Sequence, residues 1–127
     1  MRTGLMISLV LLCVTIGLGC WAEYETKQIS QRYEAASEEL YTLADMEDWS
    51  RAEDVIAGYL HDWKQTVPWL QILINHEDID DITLALERLR ACIAAKDDTA
   101  CYENCAELKE NARHIHHRDA FSLGNVL

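Results

Sequence analysis

Residues 4–22 read GLMISLVLLCVTIGLGCWA, a stretch without a charged side chain. A helix of about 19 residues is roughly 28 Å long, which matches the hydrocarbon core of a bilayer. Arg2 precedes the stretch and acidic residues follow it. Because positive charge favours the cytoplasmic side, the sequence predicts a single-pass membrane protein, with residues 1–3 in the cytoplasm and residues 23–127 outside it.

Two other fates of this N-terminal segment stay open at the level of sequence. The segment could be cleaved as a signal peptide, since Gly17, Gly19 and Ala22 are small residues of the kind found at cleavage sites. Alternatively, Cys20 could be acylated as in a lipoprotein, although Gly17 stands where such sites usually have Leu. All three fates, an uncleaved signal anchor included, place the domain outside the cytoplasm.

The charge of the chain is concentrated after the anchor. Residues 23–127 carry 22 acidic side chains against 10 basic ones, a net charge of −12. Phosphates of nucleic acids and anionic lipid headgroups would repel such a domain, so no nucleic acid partner is expected. With only one Pro and five Gly, the chain also lacks the turn residues of a β-sandwich or barrel.

Apolar residues after the anchor recur at alternating steps of three and four, the spacing that places side chains on one face of a helix. The first two stripes are Ile29, Tyr33, Ala36, Leu40, Leu43, and then Trp49, Ala52, Ile56, Tyr59, Trp63, Leu70, Leu73. The last two are Ile79, Ile82, Leu86, Leu89, Ile93, and then Cys101, Cys105, Leu108, Ala112, Ile115. We therefore predict an all-α fold, an N-terminal transmembrane helix followed by an antiparallel up-down bundle of about four helices.

Short polar segments separate the stripes and predict tight turns. The predicted turns are residues 46–48, 75–78 and 96–98. Asp48 is a candidate N-cap for the second bundle helix. Pro68 removes a backbone donor, and because the stripe keeps its phase beyond Pro68, a kink is favoured over a break. No helix breaker separates the anchor from the first stripe, so one helix is expected to run through both. Residues 122–127 are expected to fold back onto the bundle.

Histidines and acids occur near two helix ends that this topology brings together. The candidate metal ligands are His76, Glu77, Asp80, His114 and His117. Imidazole and carboxylate groups bind Zn²⁺ and other divalent ions, but the spacing matches no metal signature, since a zincin helix needs a second His where Asp80 stands. Histidines at helix C-termini and acids that cap the next helix are the simpler interpretation, so no metal site is predicted.

The cysteines of the third and fourth helices suggest a bond between them. Cys92 and Cys101 are nearly equidistant from the turn at Lys96 and Asp97, so an antiparallel hairpin can bring them within bonding range. A location outside the cytoplasm permits a disulfide there. Bonding of Cys92 to Cys105 is the alternative. Cys101 and Cys105 also fit the core as small apolar side chains.

The tryptophans divide by their position relative to the stripe. Trp49 and Trp63 lie on it and are expected in the core. Trp69 lies one step off it, beside Pro68. Packing over the kink is the favoured interpretation for Trp69, and an exposed contact for a partner is the other.

A set of motifs runs along nearly the whole chain: Asp48, Trp49, Ala52, Trp63, Trp69, His76, Glu77, Ile79, Asp80, Leu84, Leu86, Leu89, Glu107, Leu108 and the Ser-Leu-x-Asn-apolar-Leu pattern of residues 122–127. Taken together, these motifs resemble those of the DUF4363 family. The resemblance implies a small bacterial membrane-anchored protein of uncharacterised function. The family supplies no catalytic residues to carry over.

The sequence favours a non-enzymatic interaction or scaffold module in the cell membrane, with an unknown protein or a second copy of the chain as partner. No cofactor and no catalytic residue are predicted. A divalent-metal-binding or sensing module is the alternative. A small enzyme is a third, weaker hypothesis, and it would require a solvent-filled cleft lined by the clustered acids.

Overall fold

The computed structural model describes the backbone of residues 1–126 and the side chains of residues 1–115. It contains four α-helices: α1 Arg2–Asp45, α2 Trp49–Leu70, α3 His76–Ala94 and α4 Asp98–Val126. No strand occurs among residues 1–126. The predicted all-α class is confirmed.

Helix α1 contains both the apolar N-terminal stretch and the first stripe of the bundle. Its side chains are exposed up to Leu18, whereas from Thr26 onward one face is buried. The Thr26 hydroxyl donates to the Ala22 carbonyl at 2.7 Å, which satisfies this buried polar group within the helix. The expectation that one helix runs through the anchor and the first stripe is confirmed.

The four helices form a closed ring of antiparallel neighbours. Helix α1 packs against α2 and α4, and α3 packs against the same two helices. Ion pairs on the surface show how the helices are aligned. Arg113 Nε of α4 lies 2.6 Å from a Glu34 carboxylate oxygen of α1, and Arg88 of α3 lies 3.4 Å from Glu107 of α4. This arrangement is the predicted up-down bundle.

Turns 46–48 and 95–97 lie at one end of the bundle, which we call the distal end. Turn 71–75 lies at the other, proximal end, where the apolar half of α1 leaves the bundle.

The predicted stripes form the core. Of these positions, Trp49, Tyr59 and Leu73 are half-buried and pack against the core, and every other one is buried. Leu60, Ile74, Ala85 and Cys92 widen the buried face. Burial of this common face is what drives the amphipathic helices together.

Trp63 of α2 lies at the centre of this core. It is fully buried, and its ring meets Tyr33 of α1 edge-to-face with centroids 5.1 Å apart. Its indole Nε1 donates to Thr83 Oγ1 of α3 at 2.7 Å, so no polar atom of the ring is left unpaired. One side chain therefore connects three helices. The predicted core placement of Trp63 is confirmed, and Trp49 is half-buried at the rim.

The second turn differs from its predicted boundaries. Helix α2 passes through Pro68 and ends at Leu70, and the connection is residues 71–75 instead of 75–78. Asn75 is the N-cap of α3, with its side chain accepting from Glu77 N at 3.4 Å, so the helix begins at His76. The proposed role of His76 at a helix C-terminus is therefore wrong, because His76 opens α3.

The other two turns are close to the prediction. Asp48 occupies the N-cap position of α2, but its side chain makes no capping hydrogen bond. Glu47 and Lys96 adopt positive φ of 56° and 55°, the left-handed conformation that commonly follows a helix C-terminus and favours glycine. Each turn thus has a non-glycine residue in a backbone conformation that glycine would adopt with less strain.

The C-terminal segment also differs from expectation. The backbone of residues 116–126 continues α4 instead of folding back over the bundle. The side chains from residue 116 onward, His117 included, and the last residue, Leu127, lie outside the described part of the chain.

Replacing Trp63 with Ala is expected to lower the free energy of unfolding by about 3–5 kcal/mol, because the substitution leaves a cavity among α1, α2 and α3. Trp69→Ala is the matched control and is expected to cost about 1 kcal/mol or less, since this ring lies at the surface. Urea denaturation of the full chain in detergent, followed by circular dichroism, measures both. Equal losses for the two variants would contradict the central role of Trp63.

Replacing Lys96 with Gly is expected to stabilise the bundle by about 0.5–1 kcal/mol, because glycine relieves the left-handed conformation. The neighbouring Ala95, with φ of −80°, provides a control of opposite sign. Ala95→Gly only adds backbone freedom to the unfolded chain and should destabilise the bundle. The same denaturation measurement applies, and destabilisation by both substitutions would refute the assignment of strain to Lys96.

Candidate functional site

The apolar N-terminal half of α1 makes no packing contact with the bundle. The helix is long and apolar enough to cross a membrane, and none of its most apolar stretch is buried. A core helix of the same composition would be buried, so its apolar surface faces outward instead. A membrane-spanning helix and an N-terminal signal sequence both have this length and composition.

The candidate metal ligands do not form a donor set in the described part of the chain. His76, Glu77 and Asp80 are exposed at the start of α3, and His114 is exposed near the same proximal end. The Asn111 side chain, which donates to the Asp81 carbonyl at 3.4 Å, shows that α4 passes this end of α3. Nevertheless, no three His, Cys, Asp or Glu side chains of the described residues converge as metal ligands would. His117 lies outside the described side chains.

Trp69 borders a surface groove between α1 and α2 at the proximal end. The indole is 36% exposed, so packing covers the ring only in part. The groove is lined by Glu25, Gln28, Ile29, Gln31, Arg32, Thr66 and Trp69. Its walls are mostly polar and flexible side chains, with Trp69 and Ile29 as the apolar members. A partner contact at Trp69 stays a prediction from the sequence.

Three cysteines meet between α3 and α4 near the distal end. Cys92 and Cys101 are buried, and their Sγ atoms lie 2.9 Å apart, with both residues as thiols. Cys105 lies one helical turn farther along α4, on the same buried face. The expected approach of Cys92 to Cys101 is thus present.

Burial lowers the acidity of the Cys101 and Cys105 thiols. It raises the pKa of the Cys101 thiol far above its ordinary value, and the hydrogen bond to Cys92 adds to the effect. Burial raises the pKa of the Cys105 thiol to about 12. Because the thiolate is the reactive form, neither residue is an activated nucleophile in the folded bundle.

A row of aromatic side chains connects α1 and α2. Tyr59 lies 6.1 Å from Tyr33 between ring centroids, and its hydroxyl donates to a Glu39 carboxylate oxygen at 2.7 Å. Burial, and then this hydrogen bond, raise the pKa of Tyr59 to about 12. Burial also raises the pKa of Tyr33 to about 12. Both phenols stay protonated near neutral pH, which suits packing and hydrogen bonding better than proton abstraction.

A groove between α1 and α4 at the distal end was not predicted from the sequence. It encloses about 390 Å³ and is lined by Ser37, Glu38, Tyr41, Thr42, Tyr102, Cys105, Ala106 and Lys109. Tyr41 and Tyr102 lie with ring centroids 4.9 Å apart, and Tyr41 is 48% exposed. The Tyr102 hydroxyl donates to Asp45 at 3.3 Å, and Lys109 pairs with Glu38 at 3.2 Å across the groove. We call it the distal groove.

The distal groove escaped the sequence analysis for a specific reason. Tyr41 follows Leu40 and Tyr102 follows Cys101, so each lies one position off a core stripe. Periodicity within one helix indicates which of its faces is buried. It does not indicate which residues of two helices far apart in sequence lie at the same height along the bundle axis. Two aromatic residues directly beside stripe positions near adjacent helix ends were the available signal.

Comparisons with known proteins identify the family and nothing beyond it. No curated protein and no solved structure matches the chain. The family model for a domain of unknown function, DUF4363, matches residues 20–126, which include the last turns before the bundle and all four of its helical segments. The chain therefore belongs to the DUF4363 family.

Proposed function

We propose that this protein is a non-enzymatic interaction module, anchored in the cell membrane by residues 4–22, whose bundle lies outside the cytoplasm and binds a partner protein at the distal groove. The observation that carries the proposal is the continuity of α1. A single helix, Arg2–Asp45, joins an unburied apolar stretch to the first core stripe of the bundle.

This continuity gives the bundle a defined height above the membrane. An α-helix rises about 1.5 Å per residue, so Tyr41 would lie roughly 28 Å beyond residue 22 along the axis. The distal groove would therefore project away from the lipid surface, where a soluble or membrane-bound partner can reach it. A flexible linker between anchor and domain would not impose such a height.

The charge distribution supports the orientation. Arg2 precedes the apolar stretch, and acidic side chains follow it. This asymmetry favours a cytoplasmic N-terminus. The net charge of −12 on residues 23–127 also repels an anionic leaflet, which favours a bundle that stands off the bilayer.

The distal groove has the chemistry of a small protein-binding site. Tyrosines are enriched in interfaces because they offer apolar area together with a hydroxyl. Tyr41 and Tyr102 supply that surface, and the Glu38–Lys109 pair forms a polar rim. Since the domain is strongly acidic, the contacting face of the partner is expected to be apolar or basic. Charge repulsion disfavours a second copy of the chain as the occupant.

The orientation can be tested by labelling cells with a membrane-impermeant maleimide. Ser50→Cys, on the exposed surface of α2, is introduced into a chain with Cys13→Ala and Cys20→Ala. We expect labelling of intact cells, whereas a matched Thr3→Cys variant should label only after lysis. Labelling of Ser50→Cys only after lysis would overturn the proposed location. The mass of the membrane-bound chain with its native cysteines, measured separately, shows whether residues 1–22 are retained.

The partner site can be tested with a photoreactive phenylalanine analogue in native membranes. Placed at Tyr41, the analogue is expected to yield a discrete adduct with another protein, because the side chain borders the distal groove. Placed at Glu53, an exposed position of α2, it should yield none. An adduct of twice the chain's own mass would instead indicate self-association, and equal labelling from both positions would refute a specific site at the groove.

A further inference from the structure

We infer that Cys92 and Cys101 form an intramolecular disulfide in the native protein, joining α3 to α4 beside the turn at residues 95–97. The inference rests on the proposed function in one respect, because the location outside the cytoplasm supplies the oxidising compartment. The geometry of the pair is independent of that location.

The two sulfur atoms already lie in direct contact. Their separation of 2.9 Å needs to shorten by about 0.9 Å to reach the length of a disulfide bond. Both residues lie in regular helix, and the turn between them is closed by hydrogen bonds from Asp97 N to the Cys92 carbonyl and from Cys101 N to the Asp97 carbonyl, each 3.0 Å long. A small adjustment of the side chains therefore suffices, without rearrangement of the backbone.

The register of the hairpin selects Cys101 over Cys105 as the partner of Cys92. The antiparallel α3 and α4 turn about residues 96 and 97, so Cys92 is level with Cys101. Cys105 is one turn farther on and is level with Arg88. The ion pair between Arg88 and Glu107 shows that this part of α4 faces that part of α3. Cys105 thus remains as the third, unpaired thiol of the cluster.

The bond forms by two thiol–disulfide exchanges with an external disulfide, such as that of an extracytoplasmic thiol oxidoreductase. One cysteine, as its thiolate, attacks a sulfur of this oxidant, forms a mixed disulfide and releases the other sulfur as a thiolate. The second cysteine then attacks its neighbour and expels the remaining thiolate. The two cysteines lose two electrons and two protons, and the oxidant gains them and becomes two thiols.

Burial determines when this exchange occurs. Cys92 and Cys101 are 6% and 1% exposed, so an oxidant cannot reach them in the closed bundle. Exchange therefore takes place while the chain folds, or during opening of the α3–α4 hairpin. Once formed, the bond is protected from reductants by the same burial. Mild urea should accelerate both formation and reduction.

The bond is tested on protein taken directly from native membranes. The full chain is quenched in acid, alkylated before any reduction, and digested with trypsin. The expected product joins residues 91–96, which contain Cys92, to residues 97–109, which contain Cys101 and Cys105. Further cleavage after Glu103 separates Cys101 from Cys105 and identifies the bonded residue. Three alkylated thiols would overturn the inference, as would a link to Cys105.

Variants and stability measurements provide the controls. Cys101→Ala should abolish the linked peptide, whereas Cys105→Ala, the matched buried thiol on the same helix, should retain it. Without any substitution, a reductant added in mild urea should lower the Tm of the native chain by on the order of 10 °C, because the bond closes a short loop in the unfolded state. An unchanged Tm would contradict the bond.

Refolding of the purified chain in a glutathione redox buffer distinguishes a failure of the disulfide geometry from a failure of the proposed location. A product that is about 2 Da lighter, from loss of two hydrogens, and that yields the same bond from Cys92 to Cys101 on digestion shows that the pair itself closes. If the pair closes there but the chain from membranes is fully reduced, the disulfide in the native protein is refuted, and the Ser50→Cys labelling decides separately whether the location is wrong. If the pair fails to close even in the redox buffer, the geometric argument is refuted, and the proposed location is unaffected.

Discussion

The rest of the molecule depends on the unbroken hydrogen-bonded backbone of α1. Between Gly19 and Thr26 the helix changes from a surface that is apolar all round to one that is apolar on a single face. The apolar N-terminal half of α1 and its bundle half cannot rotate independently about the helix axis, because each residue of a continuous helix adds a fixed rotation of about 100°. The direction in which the bundle lies is therefore set by the phase of α1. The short turns then make α2, α3 and α4 successive antiparallel neighbours in a ring with α1.

Two kinds of contact hold this ring, and their magnitudes differ. The exposed ion pairs, such as Arg32 with Asp62 and Lys64 with Glu87, contribute about 0–1 kcal/mol each because water screens them. Burying a large apolar side chain contributes about 1.5–3 kcal/mol relative to leaving it exposed. Stability therefore comes mainly from the shared apolar face, with Trp63 at its centre. The ion pairs act on register, since their acidic and basic members oppose each other only when the helices are correctly aligned.

Sequence periodicity was sufficient for the fold and insufficient for the sites. A stripe reports the buried face of its own helix, so Ile56, Leu86 and Leu108 could be placed in the core directly. The start of α3 was misplaced because the sequence offers several capping residues in a row, and only the structure shows that Asn75 is the cap. The approach of Cys92 to Cys101 could be predicted because both residues are close in sequence to one turn. Tyr41 and Tyr102 are separated in sequence by the whole of α2 and α3, so the periodicity of a single helix does not show that they meet.

The distal groove and the cysteine pair share one short segment of α4. Cys101 and Tyr102 are adjacent, and Cys105 contributes to the wall of the groove that Tyr102 and Lys109 also line. The position of this segment relative to α1 decides whether Tyr102 meets Tyr41 at 4.9 Å. A disulfide from Cys101 to Cys92 would prevent the start of α4 from moving away from α3. Helix α3 is itself held in place because it packs on α2. The groove would then be preorganised for a partner, so less conformational entropy is lost when the partner binds. A groove held in this way would keep its shape at the distal end of the bundle.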